Sequence, residues 1–129
     1  MKDGTAIILI NGSKKILLQH RTNDAKNFPG VWSFFGGGIE KNETPLECIK
    51  RECFEELEYK LKSPKLVLIK NLSTRKIFLF IEKYDSSKKL ILKEGQDMKW
   101  FKVEEISQVK NTFSKKTLEE LKEIIDSQI

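Results

Sequence analysis

Apolar residues recur in two different periods along this 129-residue chain. Residues 6–10 form a compact apolar run closed by Asn11-Gly12, and apolar positions resume at Ile16, Leu17 and Leu18. An Asn-Gly pair between two such runs predicts an antiparallel hairpin. A polar stretch over residues 22–27 leads through Pro29-Gly30 into Val31-Trp32-Ser33-Phe34-Phe35, a short predicted strand that runs into Gly36-Gly37-Gly38. From Thr44 the period changes. Leu46, Ile49, Cys53 and Leu57 are separated by three, four and four positions, which defines one apolar stripe of an amphipathic helix, with Pro45 suited to its first turn. Residues 66–72, 76–84 and 98–103 read as further strands. Residues 117–129 read as a closing amphipathic helix carrying Leu118, Leu121, Ile124 and Ile125. The order strands, helix, strands, helix predicts an α/β sandwich with a mixed sheet between helices. No repeat, low-complexity tract or Pro/Ser-rich linker interrupts the chain, so a single domain over residues 1–129 is expected.

Composition narrows the classes. With 39% hydrophobic and 9% aromatic residues the chain can bury a core, which excludes a disordered tail protein. Charged residues make up 33%, but 24 Lys+Arg against 19 Asp+Glu leave a net charge of only +5. That excess permits attraction to polyanions without identifying a ligand. Cys48 and Cys53 lie five apart on the predicted helix and point in different directions, so neither an intrahelical disulfide nor a zinc site is expected. The first apolar run is too short for a signal sequence, and no stretch approaches the roughly 18 apolar residues of a membrane span. A reduced, soluble, cytoplasmic protein with no membrane partner is expected.

The candidate chemistry lies on the other side of the first helix. Glu52, Glu55 and Glu56 occupy a sector of about 100° beside the apolar stripe, because positions three and four apart are neighbours on a helix. Like charges so placed repel by a few tenths of a kcal/mol per exposed pair. A hard divalent cation such as Mg²⁺ would neutralise them, since it takes carboxylate oxygens together with substrate phosphates. The plain alternative is a solvated Glu/Lys-rich helix.

The spacing of the whole segment favours the first reading. Gly37-x5-Glu43-x7-Arg51-Glu52-Cys53-Phe54-Glu55-Glu56-Leu57-Glu58-Tyr59 resembles the Nudix box, G-x5-E-x7-R-E-U-x-E-E-x-G-U, with six of its seven fixed residues in place. The lead-in Trp32-Ser33-Phe34-Phe35-Gly36-Gly37-Gly38-Ile39-Glu40 is similar to the strand and loop that precede the box in many members. Glu94-Gly95-Gln96-Asp97-Met98-Lys99-Trp100-Phe101 is similar to a downstream segment of nucleotide-sanitising members of the MutT type. Two departures stand out. The box glycine is Glu58, so either the helix runs on or Glu58 holds a left-handed conformation at a cost on the order of 1 kcal/mol. The bulky aliphatic positions hold Cys53 and Tyr59.

The resemblance implies a Nudix-type α/β/α sandwich and a metal-dependent hydrolase of a nucleoside diphosphate linked to another group. Glu52, Glu55 and Glu56 would hold Mg²⁺ or Mn²⁺, joined by the Gly36 carbonyl and by Glu94. The general base would come from Glu55 or Glu56, with Glu52 also in the catalytic set and Glu94 a further candidate. Gly37 and the Glu43–Arg51 ion pair would be scaffold. Arg21 matches a basic position that contacts substrate phosphate, its alternative being a surface arginine beside Asp24. Trp32 and Phe78 are candidates for stacking on a base or for the core, and the lone His20 reads as structural. Where members specialised for oxidised guanine carry an asparagine ahead of the last helix, this sequence has Ser114, with Asn111 nearby as the candidate, and Cys48 reads as a small buried thiol. The proline and tyrosine markers of ADP-ribose and dinucleoside polyphosphate hydrolases are missing around Ser73-Thr74-Arg75. That leaves a nucleoside triphosphate, oxidised or not, as the leading substrate, split into monophosphate and pyrophosphate. A nucleotide sugar, an RNA 5′ end, or a catalytically silent nucleotide-binding module are the alternatives. A basic surround about an acidic metal pocket suits phosphate-rich ligands.

Overall fold

The computed structural model describes residues 2–128. The chain runs β1 (Gly4–Ile10), β2 (Ile16–His20), β3 (Trp32–Ser33), β4 (Phe35–Gly38), α1 (Pro45–Leu57), β5 (Lys65–Asn71), β6 (Lys76–Lys83), β7 (Asp97–Phe101), α2 (Val103–Ile106) and α3 (Lys115–Asp126). The strands form one mixed sheet in the order β3-β2-β1-β6-β5, with β4 also pairing β1 and β7 pairing β2. β1 runs parallel to β6 along its whole length, from Gly4↔Ile77 to Ile10↔Lys83. It meets β2 only at Ile10↔Ile16. Beyond the hairpin the two strands part, and β3 and β4 fill the opening, β3 on β2 and β4 on β1. This wedge sets Gly36 to Gly38 against the start of β1, beside α1.

The central strand reads as an unbroken apolar run because both of its faces are covered. Ile8 and Ile10 join Leu18, Phe101, Leu121 and Ile125 in a core closed by α2 and α3. Ile7 and Leu9 join Phe35, Phe80, Ile49 and Leu57 in a second core under α1. Each fully buried aliphatic side chain contributes about 1.5–3 kcal/mol, so β1 anchors both layers.

The expected sandwich of helices about a mixed sheet is observed, with local differences. The hairpin is longer than a two-residue turn: Asn11 N–H donates to the Lys15 carbonyl at 2.9 Å, and Lys14 N–H to the Asn11 carbonyl at 3.0 Å. Lys14, not Gly12, takes the positive φ, of 58°. The predicted strand over 31–35 divides at Phe34, where the chain passes from β2 to β1. Leu46, first of the apolar stripe, is 42% exposed, whereas Cys48, off the stripe, is fully buried. The sequence pattern missed α2, which is only four residues long. α3 starts at Lys115 behind the N-cap Ser114, and Ile129, to which the pattern extended this helix, lies outside the described residues. Among the described residues, both cysteines are free and buried, and no helix is long and apolar enough to cross a membrane.

Candidate active site on the glycine loop and the first helix

Both ends of α1 are fixed by local sequence. At its start the Glu47 N–H donates to Thr44 Oγ1 at 3.1 Å and the Thr44 N–H to Glu47 Oε1 at 2.9 Å, a reciprocal capping box ahead of Pro45. At its end Glu58 takes the left-handed conformation, φ 51° and ψ 31°, and its N–H donates to the Phe54 carbonyl. The helix therefore stops where the missing glycine would have stopped it. Glu58 Oε2 lies 3.0 Å from Lys93 Nζ.

This placement sends three carboxylates to three environments. Glu56 is 2% exposed, lies beneath the glycine loop and accepts from the Gly36 N–H at 2.8 Å. Burial pushes its carboxyl up to about 10, helped by a hydrogen bond and charge from Glu94 and by the charge of Glu52, while the Gly36 amide pulls the other way. Glu52 is raised by burial and drawn back by Arg51. Glu55, whose side chain is 56% exposed, points outward.

The loop can pack this closely only because it is glycine. Gly36 has φ 148°, and a Cβ there would stand 2.1 Å from the Thr5 carbonyl oxygen. At Gly37 a Cβ would stand 2.5 Å from Glu52 Cδ. Behind the loop, Cys48 is fully buried, with Sγ 3.2 Å from Thr5 Oγ1.

Arg51 is the hub. Its Nε and Nη2 donate to the two oxygens of Glu43 at 2.7 and 2.9 Å, and Nη2 also donates to the Gly38 carbonyl at 3.2 Å. This guanidinium holds Glu43 down at about 2. Nη1 reaches further, donating to Glu52 at 2.8 Å and Glu55 at 3.0 Å. Arg51 is thus more than the scaffold partner of Glu43: it draws two of the three glutamates toward itself. Among the described residues, no three acidic, imidazole or thiol groups stand as a closed ligand set, because Glu52 and Glu55 turn to Arg51 while Glu56 turns to Gly36.

Glu94 enters from the opposite side. The Lys93 N–H donates to the Glu56 carbonyl at 2.8 Å, which brings Glu94 to the end of α1 with its carboxyl in hydrogen-bonding reach of Glu56. Beside it opens a cleft of about 150 Å³ lined by Gln19, Arg21, Thr22, Ala25, Lys26, Glu94 and Gly95. Arg21 is oriented by donation from Nε to the Asn27 carbonyl at 3.0 Å.

The remaining candidates lie elsewhere. Phe78 is half-buried on β6, packed against the core under α1 and off the cleft. Asn111 donates to the Ile106 and Val109 carbonyls, both at 2.9 Å, and accepts from the Phe113 N–H at 2.9 Å, so its amide is engaged in its own turn. Trp32 stacks on His20 with centroids 4.6 Å apart, and His20 Nε2 sits 3.1 Å from the Gly30 carbonyl. Sequence reasoning passed over Lys26, Gln19 and Gln96. Lys26 carried a signal, as a second cation five residues past Arg21, but the two polar amides carried none.

A family model described as NUDIX domain matches residues 1–121. The nucleoside triphosphatase NudI of Escherichia fergusonii is 29% identical over 126 residues, covering 85% of this chain and 89% of that protein. Shorter matches reach the m7GpppN-mRNA hydrolase NUDT17 of Danio rerio, 38% identical over 53 residues, and NudI of Enterobacter sp., 39% over 54. These cover 41% and 42% of this chain but span only 18% and 38% of those proteins. Among solved structures, a MutT chain from a study of the Aliivibrio salmonicida and Vibrio cholerae proteins matches with a TM-score of 0.76 at 19% identity, over 97% of both chains. A likeness at that identity shows the fold.

Proposed function

The chain belongs to the NUDIX domain family, and on that premise we propose that it is a metal-dependent pyrophosphohydrolase that splits a nucleoside triphosphate into the monophosphate and pyrophosphate. The observation that carries this reading is the buried Glu56 carboxyl, held under the glycine loop and facing Glu94, which lines a cleft that presents Arg21 and Lys26. A carboxyl as buried as Glu56 ionises out of water only with a cation to share.

The donors suit a hard cation: Glu52, Glu55, Glu56 and Glu94 with the Gly36 carbonyl offer oxygen alone, the preference of Mg²⁺ and Mn²⁺. A bound ion supplies charge neutralisation at the phosphate oxygens and lowers the pKa of a coordinated water. The chain's own groups do the rest. Arg21 and Lys26 bind and orient the phosphates, Arg21 by its bidentate fork. Gly36 and Gly37 let the backbone approach the phosphates closely. Glu55, the exposed member of the set, takes the proton from the attacking water, with Glu94 next in reach. Arg51 restrains Glu52 and Glu55 and keeps the glycine loop docked on α1 through the Gly38 carbonyl. Free buried cysteines fit a reducing, cytoplasmic setting.

A panel of nucleoside triphosphates, nucleotide sugars and 5′-triphosphorylated or capped RNA, assayed with Mg²⁺ and with Mn²⁺, tests the reading by scoring pyrophosphate against phosphate. Metal-dependent pyrophosphate release from a nucleoside triphosphate is expected. Turnover confined to RNA would move the substrate toward that of the m7GpppN-mRNA hydrolase relative. Nucleotide binding without turnover would leave a binding module.

A further inference from the structure

The segment bearing Glu94 is held at both ends. On one side the Ile91 and Lys93 N–H groups donate to the Leu57 and Glu56 carbonyls at 2.9 and 2.8 Å, which ties it to the end of α1. On the other side β7 pairs β2 from Asp97↔His20 onward, and Gln96, just ahead of that ladder, carries the attachment past the end of β2 to Arg21 and Asn23. Its backbone N–H donates to the His20 carbonyl at 2.8 Å. Its side-chain Nε2 donates to the Arg21 carbonyl at 2.8 Å and to Asn23 Oδ1 at 3.3 Å, and lies 3.4 Å from His20 Nε2. Between the two attachments stand Glu94 and Gly95. Gly95 has φ 85°, and a Cβ there would stand 3.0 Å from both Gln19 Oε1 and the His20 carbonyl oxygen.

The parts joined in this way are the two walls of the cleft. Arg21, Thr22, Ala25 and Lys26 line one, and Glu94 and Gly95 the other. Resting on the hydrolase reading above, we propose that Gln96 is a positioning residue: it ties the wall carrying Arg21 to the wall carrying Glu94, and so sets the cleft width and the place of the Glu94 carboxylate against Glu56. The amide suits the task, because Arg21 O and Asn23 Oδ1 are acceptors and Nε2 offers two N–H donors. A carboxylate in its place would face those oxygens with lone pairs. A cation there would set a second positive charge beside Arg21. Gln96 is exposed, so replacing it removes the side-chain tie to Arg21 and Asn23 without opening a cavity, while the backbone bond to His20 stays.

Gln96→Met, close in length and without donors, and Gln96→Glu, equal in shape and without the N–H groups, test this. Both should lower kcat on the nucleotide found in the panel by about tenfold or more, Glu more than Met, with melting temperature unchanged. Mn²⁺ affinity, read by electron paramagnetic resonance on the protein with the metal alone, should weaken by about tenfold. Gly95→Ala, which displaces the same wall from inside, should lower kcat as well. Wild-type kcat and Mn²⁺ affinity in both Gln96 variants would overturn the proposal, and so would a loss confined to melting temperature. If the wild type turns over no nucleotide, the hydrolase reading falls by itself. Mn²⁺ titration then decides the role of Gln96: weakened affinity supports it and unchanged affinity refutes it.

Discussion

Glu56 offers a direct test of the site through stability. Without a cation its carboxyl is protonated in the fold well above neutral pH, pushed up to about 10, whereas the unfolded chain releases that proton near 4.5. Stability from this difference is full below pH 4.5 and is lost as pH rises toward 10. Each pH unit in that interval removes about 1.4 kcal/mol, so the step from pH 6 to pH 8 removes about 3 kcal/mol. For a chain of this length 1 kcal/mol is worth about 4 °C in melting temperature, which makes the fall about 11 °C. Glu56→Gln matches the neutral acid in shape. It keeps an acceptor for the Gly36 N–H and a donor toward Glu94, and it has no proton to lose. Melts in EDTA at pH 6, 7 and 8 should show the wild type falling against the Gln variant by that amount. Mg²⁺ at a hundredfold its Kd should then restore about 2.7 kcal/mol to the wild type and far less to the variant. Parallel curves in EDTA across this range would refute the reasoning, because they would mean Glu56 is already ionised in the fold without a cation.

Three further outcomes follow from the same geometry. Gly36→Ala should destabilise by about 2–4 kcal/mol in a denaturant titration, since its Cβ meets the β1 backbone at 2.1 Å, whereas Gly37→Ala, which meets only the tip of Glu52, should hold its stability and lose cation affinity. Glu43, depressed to about 2 by Arg51 against an ordinary 4.5, contributes stability above pH 4.5 that is lost as pH falls through 2; the melting gap between wild type and Glu43→Gln should be constant above pH 5 and close toward pH 2. Glu58→Gly should raise stability by about 0.5 kcal/mol, the relief of left-handed strain exceeding the added chain entropy and the loss of the exposed Lys93 pair; a lower melting temperature would show that the pair outweighs the strain.

What was legible in the chain was local. The change of period at Thr44, Pro45 in the first turn and the spacing of Glu52, Glu55 and Glu56 operate within a few residues, so helix geometry places them without reference to the rest of the fold. The run through β1 announced a buried strand for the same reason. Its alternation between two cores stayed hidden, because a strand covered on both faces shows no polar period.

By itself, the sequence determined the family, the sandwich class and the helix that carries the carboxylates. The tertiary structure decided how deep each carboxylate lies and what it meets. Glutamates within one turn of each other became a buried acid at Glu56, a half-buried Arg51-held group at Glu52 and an exposed Arg51-held one at Glu55, because burial depends on where the glycine loop and β1 lie over the helix. It also decided that Glu94 faces Glu56 and that Gln96 joins Arg21 across 75 residues of chain. Contacts at that separation rest on the register of β2, β7 and the wedge strands, a collective outcome of core packing that no local spacing encodes.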